Sequence, residues 1–146
     1  MRVAIGCDHG GYPLRQAVIE AVREAGCELL DFGAPGPERS DYPDYAEKVG
    51  RAIQKGEADR GILICGSGVG ISIAACKIKG VYAAVCHDTY SAHQGVEHDQ
   101  MNVLCLGGLV IGTQLAKELV IAFLKAEFDG VDRHAGRVAK MKKIEG

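Results

Sequence analysis

Apolar positions along the chain fall into two alternating rhythms. Short apolar runs occur at Arg2–Gly6, Glu28–Asp31, Gly61–Cys65, Val81–Cys86 and Asn102–Leu106, and each reads as a buried β-strand. Between them the spacing changes to three and four. Leu14, Ala17, Val18, Ala21, Val22 and Ala25 line one helix face, with Gly26 behind them as a C-terminal cap. A second helix is predicted from Pro43 to near Gly56, a third over Ser67–Lys77 ended by Gly80, and a fourth over Thr89–Glu97 with a weak apolar stripe. Leu115, Leu119, Ala122 and Phe123 form one face of a last long helix. Gly33, Pro35, Gly36 and Pro37 make Phe32–Asp41 a loop. The polar, basic tail from Glu127 carries a short predicted helix near Ala135–Lys142.

Five strands alternating with helices predict a parallel sheet covered on both faces, an α/β three-layer Rossmann-like fold. Ligands bind such sheets at the carboxyl ends of the strands. Asp8, His9, the run Cys65 to Gly70, His87 and Asp88 all fall there. With no linker, repeat or low-complexity stretch, residues 1–146 read as one domain.

Composition narrows the classes. A net charge of −2 and a pI near 6.2 give no footprint for nucleic acid or an anionic membrane. No apolar run approaches the ~20 residues of a spanning helix, and Val3–Cys7 is too short for a signal peptide. Six cysteines without a C-x-x-C pair predict free thiols in a reducing, cytoplasmic compartment. Most of the six are expected to be small buried hydrophobes.

Four segments carry chemistry. Cys65-Gly66-Ser67-Gly68-Val69-Gly70 joins a buried strand to a helix. Its glycines let backbone amides line a concavity, and a thiolate there is stabilised by the same dipoles. A plain glycine turn with Cys65 as filler fits the same spacing. A dinucleotide fingerprint or a cysteine-phosphatase loop fits less well, because each needs another residue where Ile71 stands. Asp8-His9-Gly10-Gly11 offers a carboxylate and an imidazole at a strand end, or a helix cap and a solvated histidine. His98, before Asp99, has the unperturbed pKa for proton transfer near neutrality, or sits at a helix terminus for its charge alone. Arg133 and Arg137 share a helix face, as a phosphate clamp or as a solvated surface. The five histidines lack H-E-x-x-H spacing, so no metal site is predicted.

Taken in order, Gly6-Cys7-Asp8-His9-Gly10-Gly11-Tyr12, Ser40-Asp41-Tyr42-Pro43, the run from Gly61 to Ala75, and Arg133-His134 with Arg137 resemble the sugar-phosphate isomerase family. That family holds the B-type ribose-5-phosphate isomerases and the galactose-6-phosphate isomerase subunits. The resemblance implies a homodimer or dimer of dimers, with the active site at the interface and the tail of residues 127–146 reaching a neighbouring subunit. It implies interconversion of D-ribose 5-phosphate and D-ribulose 5-phosphate without metal or cofactor. Cys65 would then be the base, Ser67 a proton relay and His98 the ring-opening group. The backbone of Gly66, Gly68, Val69 and Gly70 would form the anion hole. Asp8, His9, Tyr42 and Asp99 would contact substrate, with Arg133 and Arg137 on its phosphate. Two positions depart from the family pattern. Asp99 stands where Asn is usual, and Leu109 where many members have Arg. Allose or galactose 6-phosphate as substrate, and a non-catalytic nucleotide- or sugar-phosphate-binding module, remain as alternatives.

Overall fold

The apolar runs become strands β1 (Arg2–Cys7), β2 (Glu28–Asp31), β3 (Arg60–Cys65), β4 (Ala83–Val85) and β5 (Val103–Gly107) in the computed structural model, which describes residues 1–146. They form one all-parallel sheet in the order β2-β1-β3-β5-β4. The helices are α1 (Tyr12–Glu24), α2 (Tyr42–Gln54), α3 (Val69–Ala75), α4 (Thr89–Asp99), α5 (Thr113–Lys125) and α6 (Asp132–Glu145).

Alternation along each strand divides the core. Val3, Ile5, Ile62, Ile64, Leu104 and Leu106 face α1, α4 and α5, where Leu119 and Phe123 are fully buried. Ala4, Leu63, Cys65, Val103 and Cys105 face the opposite way, toward α2 and α3. The five-stranded, three-layer reading therefore holds. Because β2 lies to one side of β1 and every later strand to the other, strand order reverses between β1 and β3. Asp8 follows β1 and Cys65 ends β3, so these residues flank the crevice where open α/β sheets bind ligands.

Most boundaries shift by one or two residues from the sequence expectation, and three differences have a visible physical cause. Helix α3 starts at Val69 rather than Ser67 because Gly68 caps it with φ of 82°, a left-handed conformation in which glycine pays no steric penalty. Strand β4 keeps three residues of the predicted six. It is an edge strand, and the Tyr82 N–H is taken by the Asn102 side chain at 2.8 Å. Helix α6 runs 14 residues, although only His134 and Val138 are buried on it. Its far end is fixed by Glu145, which accepts from the Gly80 N–H at 2.8 Å and from the Tyr82 hydroxyl.

Candidate active site

At the carboxyl end of the sheet the site is made mostly of backbone. Cys65 is 5% exposed, and its Sγ accepts the Gly68 N–H at 3.1 Å. A charged sulfur gains more from that donor than a neutral one. The Ser67 hydroxyl accepts the Val69 N–H at 3.2 Å and is itself exposed. The amides of Ser67, Gly70 and Ile71 find no acceptor in the chain, leaving a row of donors at the loop. The loop is locked from below: the Gly108 N–H bonds to Cys65 O at 2.8 Å and Leu109 N–H to Gly66 O at 2.9 Å. A Cβ on Gly108 would collide with Gly10 O, so the turns after β1 and β5 meet backbone to backbone.

Asp8 extends the ladder, its N–H bonding to Ile64 O at 3.3 Å. Its side chain is 5% exposed and accepts the Gly11 N–H at 3.0 Å. It does not cap α1, whose N-cap is Gly11. His9 is exposed, and its Nδ1 lies 3.1 Å from Ser40 N and 3.2 Å from Ser40 O, so the ring is held against the Ser40 backbone. The Tyr42 ring lies over Gly70, 2.8 Å from where a Cβ would stand. Thus Asp8, His9, Tyr42, Cys65, Gly66, Ser67, Gly68, Val69 and Gly70 converge on one mouth. Of the six free cysteines four are buried, namely Cys7, Cys65, Cys86 and Cys105. Burial pushes the thiols of Cys7 and Cys105 up and that of Cys86 to about 11, so these three stay protonated and inert.

The remaining predicted residues lie elsewhere. Helix α4 begins after the carboxyl end of β4 and runs back, so His98 and Asp99 sit where the chain is about to enter β5. Val103 is paired with Gly61 and Gly107 with Cys65, which separates the two ends by about 13 Å of strand alone. The resemblance assigns only the tail arginines to a neighbour. The fold sends His98 and Asp99 to the arginine pole as well. There the Arg60 guanidinium donates to Phe123 O and Ala126 O, each at 2.6 Å, and so anchors the end of α5. The chain then brings the Asp129 N–H onto Glu97 O at 3.0 Å and starts α6 beside α4. His134 is 5% exposed and stacks on His98 with ring centroids 3.9 Å apart. Arg133 and Arg137 are exposed, and neither is ion-paired.

Two residues here escaped the motif reading. His134 was visible between the arginines but had no assigned part. Asp129 gave no signal at all. Its carboxylate accepts from His134 Nδ1 at 2.8 Å and from the Val131 N–H at 3.0 Å, and lies 3.7 Å from His98 Nε2. The hydrogen bond from His134 holds the Asp129 carboxyl below the usual carboxylate range, with the Val131 amide adding to it. His98, Asp129 and His134 place one ligand-type atom each within 4.8 Å of one another. The rings are 25° from parallel, however, so their in-plane lone pairs do not converge on one ion.

A groove of about 630 Å³ is distinct from the Cys65 mouth. Residues lining it include Ala83, Val85, Met101, Met141 and Ile144, with Asp99 at its rim. No helix is long and apolar enough to cross a membrane.

Residues 3–141 match the family described as Ribose/Galactose Isomerase. The chain is 46% identical to the ribose-5-phosphate isomerase B of Escherichia coli over 144 residues, covering 99% of this chain and 96% of that one. A solved ribose-5-phosphate isomerase B from Clostridium thermocellum superposes with a TM-score of 0.95 at 50% identity, covering 99% and 97% of the two chains. A D-erythrulose-4-phosphate isomerase of Pectobacterium atrosepticum is 39% identical, covering 99% and 93%.

Proposed function

Because the chain belongs to the Ribose/Galactose Isomerase family, as a sugar-phosphate isomerase of the ribose-5-phosphate isomerase B type, we propose that it interconverts D-ribose 5-phosphate and D-ribulose 5-phosphate at a site shared by two copies of itself. The observation that carries the reading is Cys65 Sγ held by the Gly68 amide beside unpaired donors. The Cys65 thiolate removes the proton from C2 of the open-chain aldose. Negative charge moves onto the C1 oxygen as an enediolate, and the proton returns at C1 to give the ketose. A carbon acid beside a carbonyl yields its proton only when that oxyanion is met by fixed donors. Losing one such donor costs ~10²–10³ in rate. The Ser67 hydroxyl moves a proton between the C1 and C2 oxygens, while Asp8 and His9 hold sugar hydroxyls.

Ring opening and phosphate binding need the other pole, which one chain keeps away from its own Cys65. A second copy bringing His98, Asp99, Arg133 and Arg137 to the mouth completes the site. Val69, Ile73, Leu109 and Val110 around that mouth are 52% to 84% exposed, an apolar rim suited to being covered. The phosphate lies away from the reacting carbons, so its binding positions them. Leu109 contributes packing in place of a cation. Free thiols throughout support a reducing, cytoplasmic setting.

The relative named for D-erythrulose 4-phosphate supports a second reading, a four-carbon substrate. The test is turnover of purified protein on D-ribose 5-phosphate and D-erythrose 4-phosphate in excess chelator, following ketose. Saturable conversion of the pentose with higher kcat/KM is the expected result. Preference for the tetrose moves the assignment to the second reading. Thermal stabilisation by both sugars without any ketose makes the protein a binding module instead.

A further inference from the structure

Asp129 touches neither Cys65 nor the amide loop, yet its carboxylate is the one paired with His98, 3.7 Å from Nε2. We propose that Asp129 is a positioning residue for ring opening, fixing the His98 imidazole through the His134 stack and through its own carboxylate opposite Nε2. The inference rests on the ring-opening part assigned to His98 above.

Three contacts define the arrangement. The Asp129 backbone is tied to the last turn of α4 through Glu97 O, so the carboxylate cannot drift from His98. One carboxylate oxygen takes the Val131 N–H at 3.0 Å, while His134 Nδ1 bonds at 2.8 Å to the other. His134 is thereby held flat against His98, ring centroids 3.9 Å apart. On the other edge of the His98 ring, Nδ1 meets the Gln94 side-chain nitrogen at 3.0 Å. With the Gln94 amide donating to Nδ1, the neutral ring carries its proton on Nε2, the atom 3.7 Å from Asp129. That gap is longer than a hydrogen bond. Nε2 therefore remains open to a sugar oxygen, with the carboxylate beside it.

Opening a furanose moves protons at two oxygens. One leaves the anomeric hydroxyl, the C1–O4 bond breaks as the C1 carbonyl forms, and O4 takes one up. A ring held in one orientation beside a fixed anion suits such an exchange. Proton transfer between C1 and C2 at Cys65 makes no use of it. Asp129 consequently separates cyclic from open-chain aldoses, which a residue that only stabilised α6 would not do.

The experiment compares Asp129→Asn, Asp129→Glu and wild-type protein on two aldoses. One is D-ribose 5-phosphate. The other is its 4-deoxy analogue, which lacks the oxygen that closes the furanose. Asn keeps the acceptor for Val131 and removes the charge; Glu keeps the charge. For Asp129→Asn, kcat on D-ribose 5-phosphate is expected to fall roughly ten- to a hundredfold, part of the ~10²–10⁴ that acid–base catalysis supplies. On the 4-deoxy sugar it should change by less than about twofold. Asp129→Glu should recover most of the loss. Equal losses on both sugars, or no loss on either, overturn the proposal while leaving the isomerase reading intact. A wild-type protein that converts neither sugar overturns that reading, and this inference with it.

Discussion

The two ends of the sheet solve different chemical problems with different materials. The carboxyl end is built from amides, with Cys65 and Asp8 each 5% exposed among interleaved glycine turns. Its donors are fixed before substrate arrives, which is the condition for stabilising an oxyanion without reorganisation. The amino end is built from side chains: a histidine pair beside the Asp129 carboxylate, and two exposed arginines on a helix with only two buried residues. Such groups suit gripping charge and moving protons at oxygen. On the proposed reading neither end is a complete site. A parallel sheet with short crossovers puts every helix C-terminus at the end opposite the strand C-termini, so the separation is a property of the topology.

The strongest way to break this comparison is to disable each end in a different chain. Cys65→Ala removes the proposed base and should lower kcat by about 10²–10⁴ while substrate still binds. His98→Asn should be similarly impaired on the cyclic sugar. Co-expressed with separate tags, the two variants should form mixed dimers in which one mouth has both Cys65 and His98. Random pairing predicts recovery of about a quarter of wild-type activity. No recovery in isolated mixed dimers would mean that each chain completes its own site, against the observed separation of the two residues.

Phosphate binding sharpens the comparison at the arginine end. Arg137 is exposed and unpaired, so truncating it leaves no orphaned partner and should not unfold the chain. A charge-assisted hydrogen bond contributes about 1.5–3 kcal/mol. Arg137→Ala should therefore raise KM for D-ribose 5-phosphate roughly ten- to a hundredfold and leave the weak turnover of unphosphorylated D-ribose unchanged. A matching loss on D-ribose would assign the arginine to the sugar rather than to the phosphate.

The carboxyl end was legible in the sequence because its parts are local. A buried strand, a cysteine and three spaced glycines lie within ten residues, and the strand end itself locates them. The helix start was missed by two residues because the left-handed turn at Gly68 is a backbone state that composition does not report. At the other end the arginine pair was visible, but its neighbours were not. Asp129 acquires its place only when a loop anchored by Arg60 delivers it to α4, thirty-one residues back along the chain. No periodicity encodes that meeting. The pole of His98 was open to deduction from crossover geometry, whereas the histidine stack was not.

The smallest expected effect tests how the rigid end is braced. His87, just past β4, accepts the Gly107 N–H on Nε2 at 3.0 Å. Gly107 is the register partner of Cys65, and a Cβ there would meet the Ser67 backbone at 2.8 Å. A protonated ring cannot accept that bond, and partial burial already lowers the His87 pKa below its ordinary value. The unfolded chain therefore binds more protons than the folded one in the window below about pH 6.5. The contribution is complete above that pH and is lost as pH falls toward the folded-state value. Gln at this position offers a neutral acceptor that does not titrate. Urea unfolding at pH 7.5 and 5.5 should show the wild-type midpoint dropping further on acidification than that of His87→Gln, with equal m-values. Parallel shifts in the two proteins would mean that the Gly107 amide does not depend on the neutral imidazole, and that the Cys65 loop is held by backbone alone.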